Sequence, residues 1–361
     1  MRRALLLIVI LALQFAVLEG AIRWHGGSEV APEFRRLFMQ DPRVGHRLQP
    51  GARARFTTVE FSTDLAINAE GVRDDEPIGP KAANERRIVV LGDSLVLSVQ
   101  VPFAETFCER LETKLNAADP AHRWRVINAG VQGYGPVHEW LFFNTVVSAF
   151  EPDIVLIGAF VGNDAVEAND TEDWLDAGRP TTAGTEAALN VVRRIVRSSV
   201  VLQLVRMRWD LLRGRFSAPT PERPVSSYLA DPPPYVVHGL DVSRRAFEKI
   251  AHRSEELGAK AAVVLFPARF QTDDGDYGRL NEIVHRSGGV LIRNAATTRF
   301  RDALAPLGLP MLDLLPILER QPDRIGLFYQ RTIHFTPRGH EVVGGALFDF
   351  LMTSGLVRPL P

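Results

Sequence analysis

The chain has 361 residues, 46% hydrophobic and 24% charged, enough to bury one large α/β core with extensions or two smaller ones. A formal net charge of -1, from 42 lysines and arginines against 43 aspartates and glutamates, gives no global pull toward nucleic acid or an acidic surface. The one cysteine, Cys108, excludes an intrachain disulfide framework and cysteine-based zinc sites, and within "ETFCERLETKL" it reads as a small buried hydrophobe of a helix.

Residues 1–23 read as a signal anchor or signal peptide. Two arginines, Arg2 and Arg3, precede an apolar run from Ala4 to Leu18 that only Gln14 interrupts. Extended through Ile22, the run nears the lower limit of roughly 17 residues for a span. Cutting after Gly20 or Ala21 would put Leu18 or Glu19 three positions from the cut, and neither is small. The expectation is an uncleaved single-pass cell-membrane anchor with its arginines inside and the rest of the chain outside the cytoplasm, periplasmic or extracellular. Secretion after cleavage is the alternative. Residues 24–84 read as a stalk or N-terminal extension, with a few short strands in "PGARARFTTVEFSTDLAINAEGVRD".

From Arg86 the pattern becomes apolar strands alternating with amphipathic helices. Strands are expected at Arg87 to Gly92, Trp124 to Gly130, Pro152 to Phe160, Lys260 to Phe266 and Pro310 to Leu314. Helices are expected at Ala104 to Ala118, Val137 to Ser148, Ser243 to Leu257, Gly278 to Ser287, Asn294 to Leu307 and Pro337 to Met352. Near-continuous apolar strands, each followed by a helix, predict an α/β domain over 85–361 with a parallel sheet covered on both faces. Its ligand would bind beyond the carboxyl ends of the strands. An insertion at about 165–242 begins with the acidic, loop-like "DTEDWLDAGRP". It continues through an arginine-rich amphipathic stretch, a lid, a lipid contact or a solvated face, and ends in "SAPTPERP" and "DPPPY", which read as helix breakers.

Three strand ends carry the candidate chemistry. Ser94 follows the first, where its own N–H at a helix start suits a developing oxyanion. Gly133 follows the second in "NAGVQGYG", and Asn163 follows the third in "FVGNDAV". His334 precedes the last helix, after which Thr336 and Pro337 make a good cap and first residue. His340 reads as a packing or surface residue of that helix, and His138 as a helical surface position. Singly, Ser94 and Asn163 could be turn residues and the glycines mere tight-turn formers. Together they supply nucleophile, base and oxyanion donors.

The four blocks "VVLGDSL", "INAGVQGYG", "VGND" and "HFTPRGH", in this order, resemble the SGNH or GDSL hydrolases over roughly Arg86 to the C-terminus. The lead-in "INAEGVRDDEP" resembles the segment before the domain in membrane-anchored bacterial members. The resemblance implies a three-layer α/β/α sandwich on a flavodoxin-like five-stranded parallel sheet, with no metal or organic cofactor. It implies Ser94 as nucleophile and His334 as general base, with Ser94 N–H, Gly133 N–H and the Asn163 side chain as oxyanion hole. The substrate class is an acylated glycan, a lipid or a small ester.

Two positions depart from the family's pattern. Arg331 stands where an aspartate usually precedes the histidine by three, with Thr332 next to it, so the ring is expected to be held by a backbone carbonyl, as in a Ser-His dyad, or by a distant carboxylate such as Asp313 or Asp323. The arginine's charge would also disfavour the imidazolium. Leu95, Val96 and Leu97 stand where a small, glycine-containing turn is usual, and would line the site. The expected function is an exported, membrane-tethered serine esterase. An O-acyltransferase on an envelope polysaccharide with the same residues, or a catalytically weakened binding module, are the alternatives.

Overall fold

The computed structural model describes residues 13–21, 34, 36–178, 201 and 223–357. Five strands, β5 (Glu85–Gly92), β6 (Arg123–Gly130), β7 (Ile154–Phe160), β8 (Lys260–Phe266) and β9 (Met311–Asp313), form one sheet in the order β6-β5-β7-β8-β9, every pair parallel. Counted within the sheet this order is 2-1-3-4-5, the flavodoxin-like winding. Ile88 to Leu91 and Ile154 to Phe160 are buried throughout, as strands with helices on both faces must be.

Two antiparallel hairpins precede the sheet: β1 (Phe38–Asp41) with β2 (Gly45–Leu48), and β3 (Arg53–Thr57) with β4 (Ser62–Ala66). Leu37, Val44, Leu48, Leu65, Ile67, Val72 and Ile78 belong to the same hydrophobic cluster as the sheet.

The four-residue α1 (Ser94–Leu97) follows β5, and α2 (Phe107–Ala118) leads to β6. Next come α3 (Pro136–Thr145), α4 (Asp164–Asp176) and α5 (Pro234–Glu256). After β8 come α6 (Arg269–Thr272), α7 (Asp274–Arg286) and α8 (Ala295–Leu304), and after β9 α9 (Leu315–Glu319) and α10 (Pro337–Thr353). One helical layer pairs α2 with α10, and the other groups α3, α4 and α5. His340 joins the first pair: it is buried, accepts Phe107 N–H at Nδ1 (3.2 Å) and stacks on the Phe107 ring.

Two expectations are corrected here. The acidic "DTEDWLD" is helical, because Asp164 and Glu167 sit in the first turn of α4, where carboxyls suit the helix dipole, and Ala165, Val166 and Ala168 bury against α5. The approach is close: a Cβ at Gly239 would lie 1.7 Å from Ala165 O. "DPPPY" does not break a helix but starts one, since Pro234 occupies the first position of α5, which needs no N–H donor.

Residues 13–21 are helical and mostly exposed. Among the described residues no helix is long and apolar enough to cross a membrane, and residues 1–12 and 22–23 of the expected anchor lie outside them. The arginine-rich stretch of the insertion, with Arg193, Arg194, Arg197, Arg206, Arg208, Arg213 and Arg215, also lies outside the described residues.

Candidate active site

The sheet's winding reverses at β5, because the chain passes from β5 to β6 on one side and then to β7 on the other. A crevice therefore opens beyond the carboxyl ends of β5 and β7. Ser94 follows β5 and Asn163 follows β7.

Asp93 caps α1 by accepting Leu95 N–H at 2.8 Å. Ser94 N–H, at the helix start, has no carbonyl one turn back to bond. The expectation that Leu95, Val96 and Leu97 line the site is corrected: all three are buried in the core. Val96 descends onto a glycine cradle, where a Cβ at Gly92 would meet Val96 Cγ2 at 2.3 Å, and one at Gly158 the same atom at 3.2 Å. At Gly130 a Cβ would meet Leu97 N at 2.3 Å. The bulk after the serine is thus matched by missing side chains on three strands. Asn128 Nδ2–H adds a 2.6 Å bond to Val96 O.

Arg73, from the lead-in segment, holds the other end of α1. Its guanidinium is buried and donates to Leu97 O (2.8 Å), Ser98 O and Val101 O (2.6 Å). Among the described residues no carboxylate bonds to it, and burial lowers its pKa to about 10.

His334 meets the serine across 240 residues of sequence: Nε2 lies 2.9 Å from Ser94 Oγ. On its other side Nδ1 contacts Thr332 Oγ1, which also accepts the His334 main-chain N–H at 3.0 Å. A neutral imidazole has one donor and one acceptor. With Nδ1–H donated to Thr332, the Nε2 lone pair faces the Ser94 hydroxyl, as a base requires. Burial of the ring, not the charge of Arg331, depresses the His334 pKa to about 4.

Neither distant acid supports the ring, which corrects the expectation for Asp313 and Asp323. Asp313 pairs with Arg301 and accepts Leu315 N–H at 3.0 Å, while Asp323 accepts Gly326 N–H at 3.1 Å. Arg331 is exposed.

The loop carrying His334 is gripped from both sides. Glu60, in the turn between β3 and β4, accepts Gln330 N–H (2.8 Å) and Arg331 N–H (3.0 Å) on its two oxygens. Arg269 donates to Tyr329 O (2.9 Å) and Gln330 O, and the Phe61 ring packs against Tyr329. Neither the Glu60 clamp nor the support from Thr332 was expected from the sequence. Glu60 carries no local signal, because its meaning lies 270 residues away, whereas Thr332 stood in plain view two residues before the histidine.

Gly133 has a left-handed backbone (φ +72°) with open space where a Cβ would be, and its N–H has no partner among the described residues. Val131 N–H, two residues earlier, donates to Gly92 O at 3.0 Å, which ties this loop to the Ser94 turn. The Asn163 side chain donates through Nδ2 to Glu167 Oε1 at 2.7 Å, leaving its second N–H available. His138, expected on the surface, instead stacks between Tyr134 and Trp174 beside this loop. Among the described residues no group of three or more His, Cys, Asp and Glu is placed to hold a metal ion.

No protein-family model matches the sequence, and no curated protein matches it. Among solved structures the chain is similar to a lipase/acylhydrolase from Enterococcus faecalis, at 16% identity and TM-score 0.43, over 76% of this chain and 99% of that one. It is also similar to the psychrotrophic esterase EstA from Pseudoalteromonas sp., at 13% identity and TM-score 0.41, over 74% and 98%. A third is a two-domain esterase (CEX) active on acetylated mannans, at 14% identity and TM-score 0.41, over 74% of this chain and 50% of that one. The five-stranded parallel sheet in the order 2-1-3-4-5, with helices on both faces, is the α/β/α sandwich expected from the sequence.

Proposed function

We propose that this chain is an SGNH-type serine esterase that removes ester-linked acyl groups from a glycan, lipid or small ester. The observation that carries the reading is the 2.9 Å contact between Ser94 Oγ and His334 Nε2, with Nδ1 held by Thr332 on the far side. In this mechanism Ser94 Oγ attacks the ester carbonyl as its proton passes to His334 Nε2. The oxyanion of the tetrahedral intermediate is received by Ser94 N–H, Gly133 N–H and the free N–H of Asn163. Collapse breaks the bond to the alcohol, which leaves with the proton from Nε2, and the acyl group stays on Ser94. Water then attacks the acyl-enzyme, giving its proton to Nε2, and the second intermediate releases the carboxylic acid and restores the serine.

Export and membrane tethering through residues 1–23 belong to the same proposal, supported by the two arginines and the apolar run that follows. Turnover of p-nitrophenyl acetate by wild type, Ser94→Ala and His334→Ala tests the chemistry. Loss of turnover in both variants is expected, and an equal background rate in all three would remove the enzyme reading. Membrane fractionation of the full chain before and after deletion of residues 1–23 tests the tether, which predicts release of the domain.

A further inference from the structure

Glu167 sits in the first turn of α4, where its carboxyl touches both loops proposed to bind the oxyanion. Its Oε1 accepts Asn163 Nδ2–H at 2.7 Å. Its other oxygen lies against the glycine loop after β6: a Cβ at Gly135, two residues past Gly133, would meet Glu167 Cβ at 2.8 Å and Oε2 at 3.3 Å.

Among the buried oxygens without a partner in this cluster, which include Glu139 Oε1 and Oε2 and Asp164 Oδ1, two belong to this pair, Asn163 Oδ1 and Glu167 Oε2. An amide oxygen and a carboxylate oxygen only accept, so they cannot satisfy each other. One proton on Oε2 would resolve both: Nδ2–H already donates to Oε1, and the side-by-side pairing of an amide with a carboxylic acid would let Oε2–H donate to Oδ1. The surroundings favour that proton. Asp93 from the β5–α1 turn, Glu139 from α3, and Asp164 and Asp170 from α4 itself all bear on this carboxyl or are affected by it. The basic groups that pair with α4 do so elsewhere: His238 and Arg245 of α5 bond Glu172, and Arg223 bonds Asp170. From α3, His138 bonds Thr171.

We propose that Glu167 works as a neutral acid, a positioning residue whose proton locks the Asn163 amide and so aims its remaining N–H at the oxyanion. The inference rests on the esterase reading and gives that reading an alkaline limit. Burial first, then the charge of Asp93, pushes the Glu167 pKa up to about 8, and the bond from Asn163 opposes them. Below that pH the acid is neutral and the amide is fixed. Above it, the anion can no longer donate to Oδ1, and it adds negative charge beside the position where the oxyanion must form.

The test is the pH dependence of p-nitrophenyl acetate hydrolysis by the full chain, with the Ser94→Ala rate subtracted, for wild type, Glu167→Gln and Glu167→Ala. In wild type kcat falls as pH rises through about 8, reaching roughly a tenth of its plateau one unit higher. Glutamine can accept from Nδ2 and donate to Oδ1 without titrating, so Glu167→Gln keeps kcat within about threefold at neutral pH and loses the alkaline limb. Glu167→Ala frees the amide, and kcat drops by roughly 10-fold to 100-fold at every pH with KM little changed. An alkaline limb that persists in Glu167→Gln, or a glutamine variant as impaired as the alanine one, overturns the proposal. The infrared difference between wild type and Glu167→Gln gives a readout independent of turnover, because Glu109 holds a proton in the same range: the protonated-carboxyl band that the glutamine variant lacks must disappear with a midpoint near pH 8. Absence of Ser94-dependent turnover would sink the esterase reading instead, and the infrared band would still report on Glu167.

Discussion

Replacing Thr332 by aspartate puts a carboxylate against His334 Nδ1, the imidazole nitrogen on the far side from Ser94. In the wild type His334 has a pKa of about 4, lowered by burial. A base must be neutral, so activity should persist to low pH, with roughly 90% of His334 in the working form one unit above that pKa. An adjacent carboxylate favours the imidazolium and raises such a pKa by about 1–3 units. For a two-unit rise, the neutral fraction at pH 5 falls to roughly a tenth, and the acid limb of kcat/KM moves to about pH 6. The plateau near neutral pH should rise about tenfold, because the imidazolium formed during attack is now stabilised and a carboxylate, unlike a hydroxyl, accepts only from Nδ1–H and fixes the productive tautomer. Thr332→Val, which removes the acceptor, should lower the plateau by about 2-fold to 13-fold, the value of one neutral hydrogen bond. The assay is the pH profile of p-nitrophenyl acetate hydrolysis. A wild-type limb near pH 6.5, or a limb that Thr332→Asp leaves unmoved, would refute the assignment of His334 as a buried base supported by Thr332.

Glu60→Ala, which releases Gln330 N–H and Arg331 N–H, should lower kcat by about 3-fold to 10-fold with little change in KM, since both bonds are partly solvated; an unchanged kcat would contradict the clamp. Gly130→Ala forces a methyl into Leu97 N and should cost about 1–3 kcal/mol or more in urea unfolding, and a neutral result would contradict the close seat of α1. Stability should fall as pH rises from about 6.5 to 8.5. Glu109 and Glu167, both raised to about 8 by burial, hold protons in the folded state that the unfolded chain has already released, so folding weakens as those protons leave. The histidines with pKa values pushed down from about 6.5 gain only the small remainder of their stability above that pH, so they oppose this weakly. A melting temperature equal or higher at pH 8.5 than at pH 6.5 would falsify that linkage.

The apolar strands, their helices and the strand-end positions of Ser94, Gly133 and Asn163 were legible because each depends on short-range pattern: continuous burial, cap chemistry, glycine after a strand. What escaped the sequence depends on contacts far apart in the chain. Val96 looked like a wall of the site until three glycines from different strands were seen beneath it. Arg73 and Glu60 belong to a region that read as a stalk, yet their partners lie in α1 and in the loop before α10. "DTEDWLD" reads as a loop because it is acidic and buries only Thr171 itself, whereas the small residues that seat the helix, Ala165 and Ala168, lie before it and only α5 reveals their face. Thr332 escapes for another reason: the usual support is an acid, and a hydroxyl two residues before the histidine carries no sign of meeting Nδ1 until the loop is folded.

The proposed chemistry requires His334 to activate Ser94 toward an acyl carbonyl. Incubation of the full chain with a p-nitrophenyl alkylphosphonate, followed by intact mass and peptide mapping, addresses it directly, because only an activated serine displaces p-nitrophenolate to form a stable adduct. The expected result is a single phosphonyl group on the peptide containing Ser94, strongly slowed in His334→Ala. A label on another residue, no label, or equal labelling of the His334→Ala variant would contradict it.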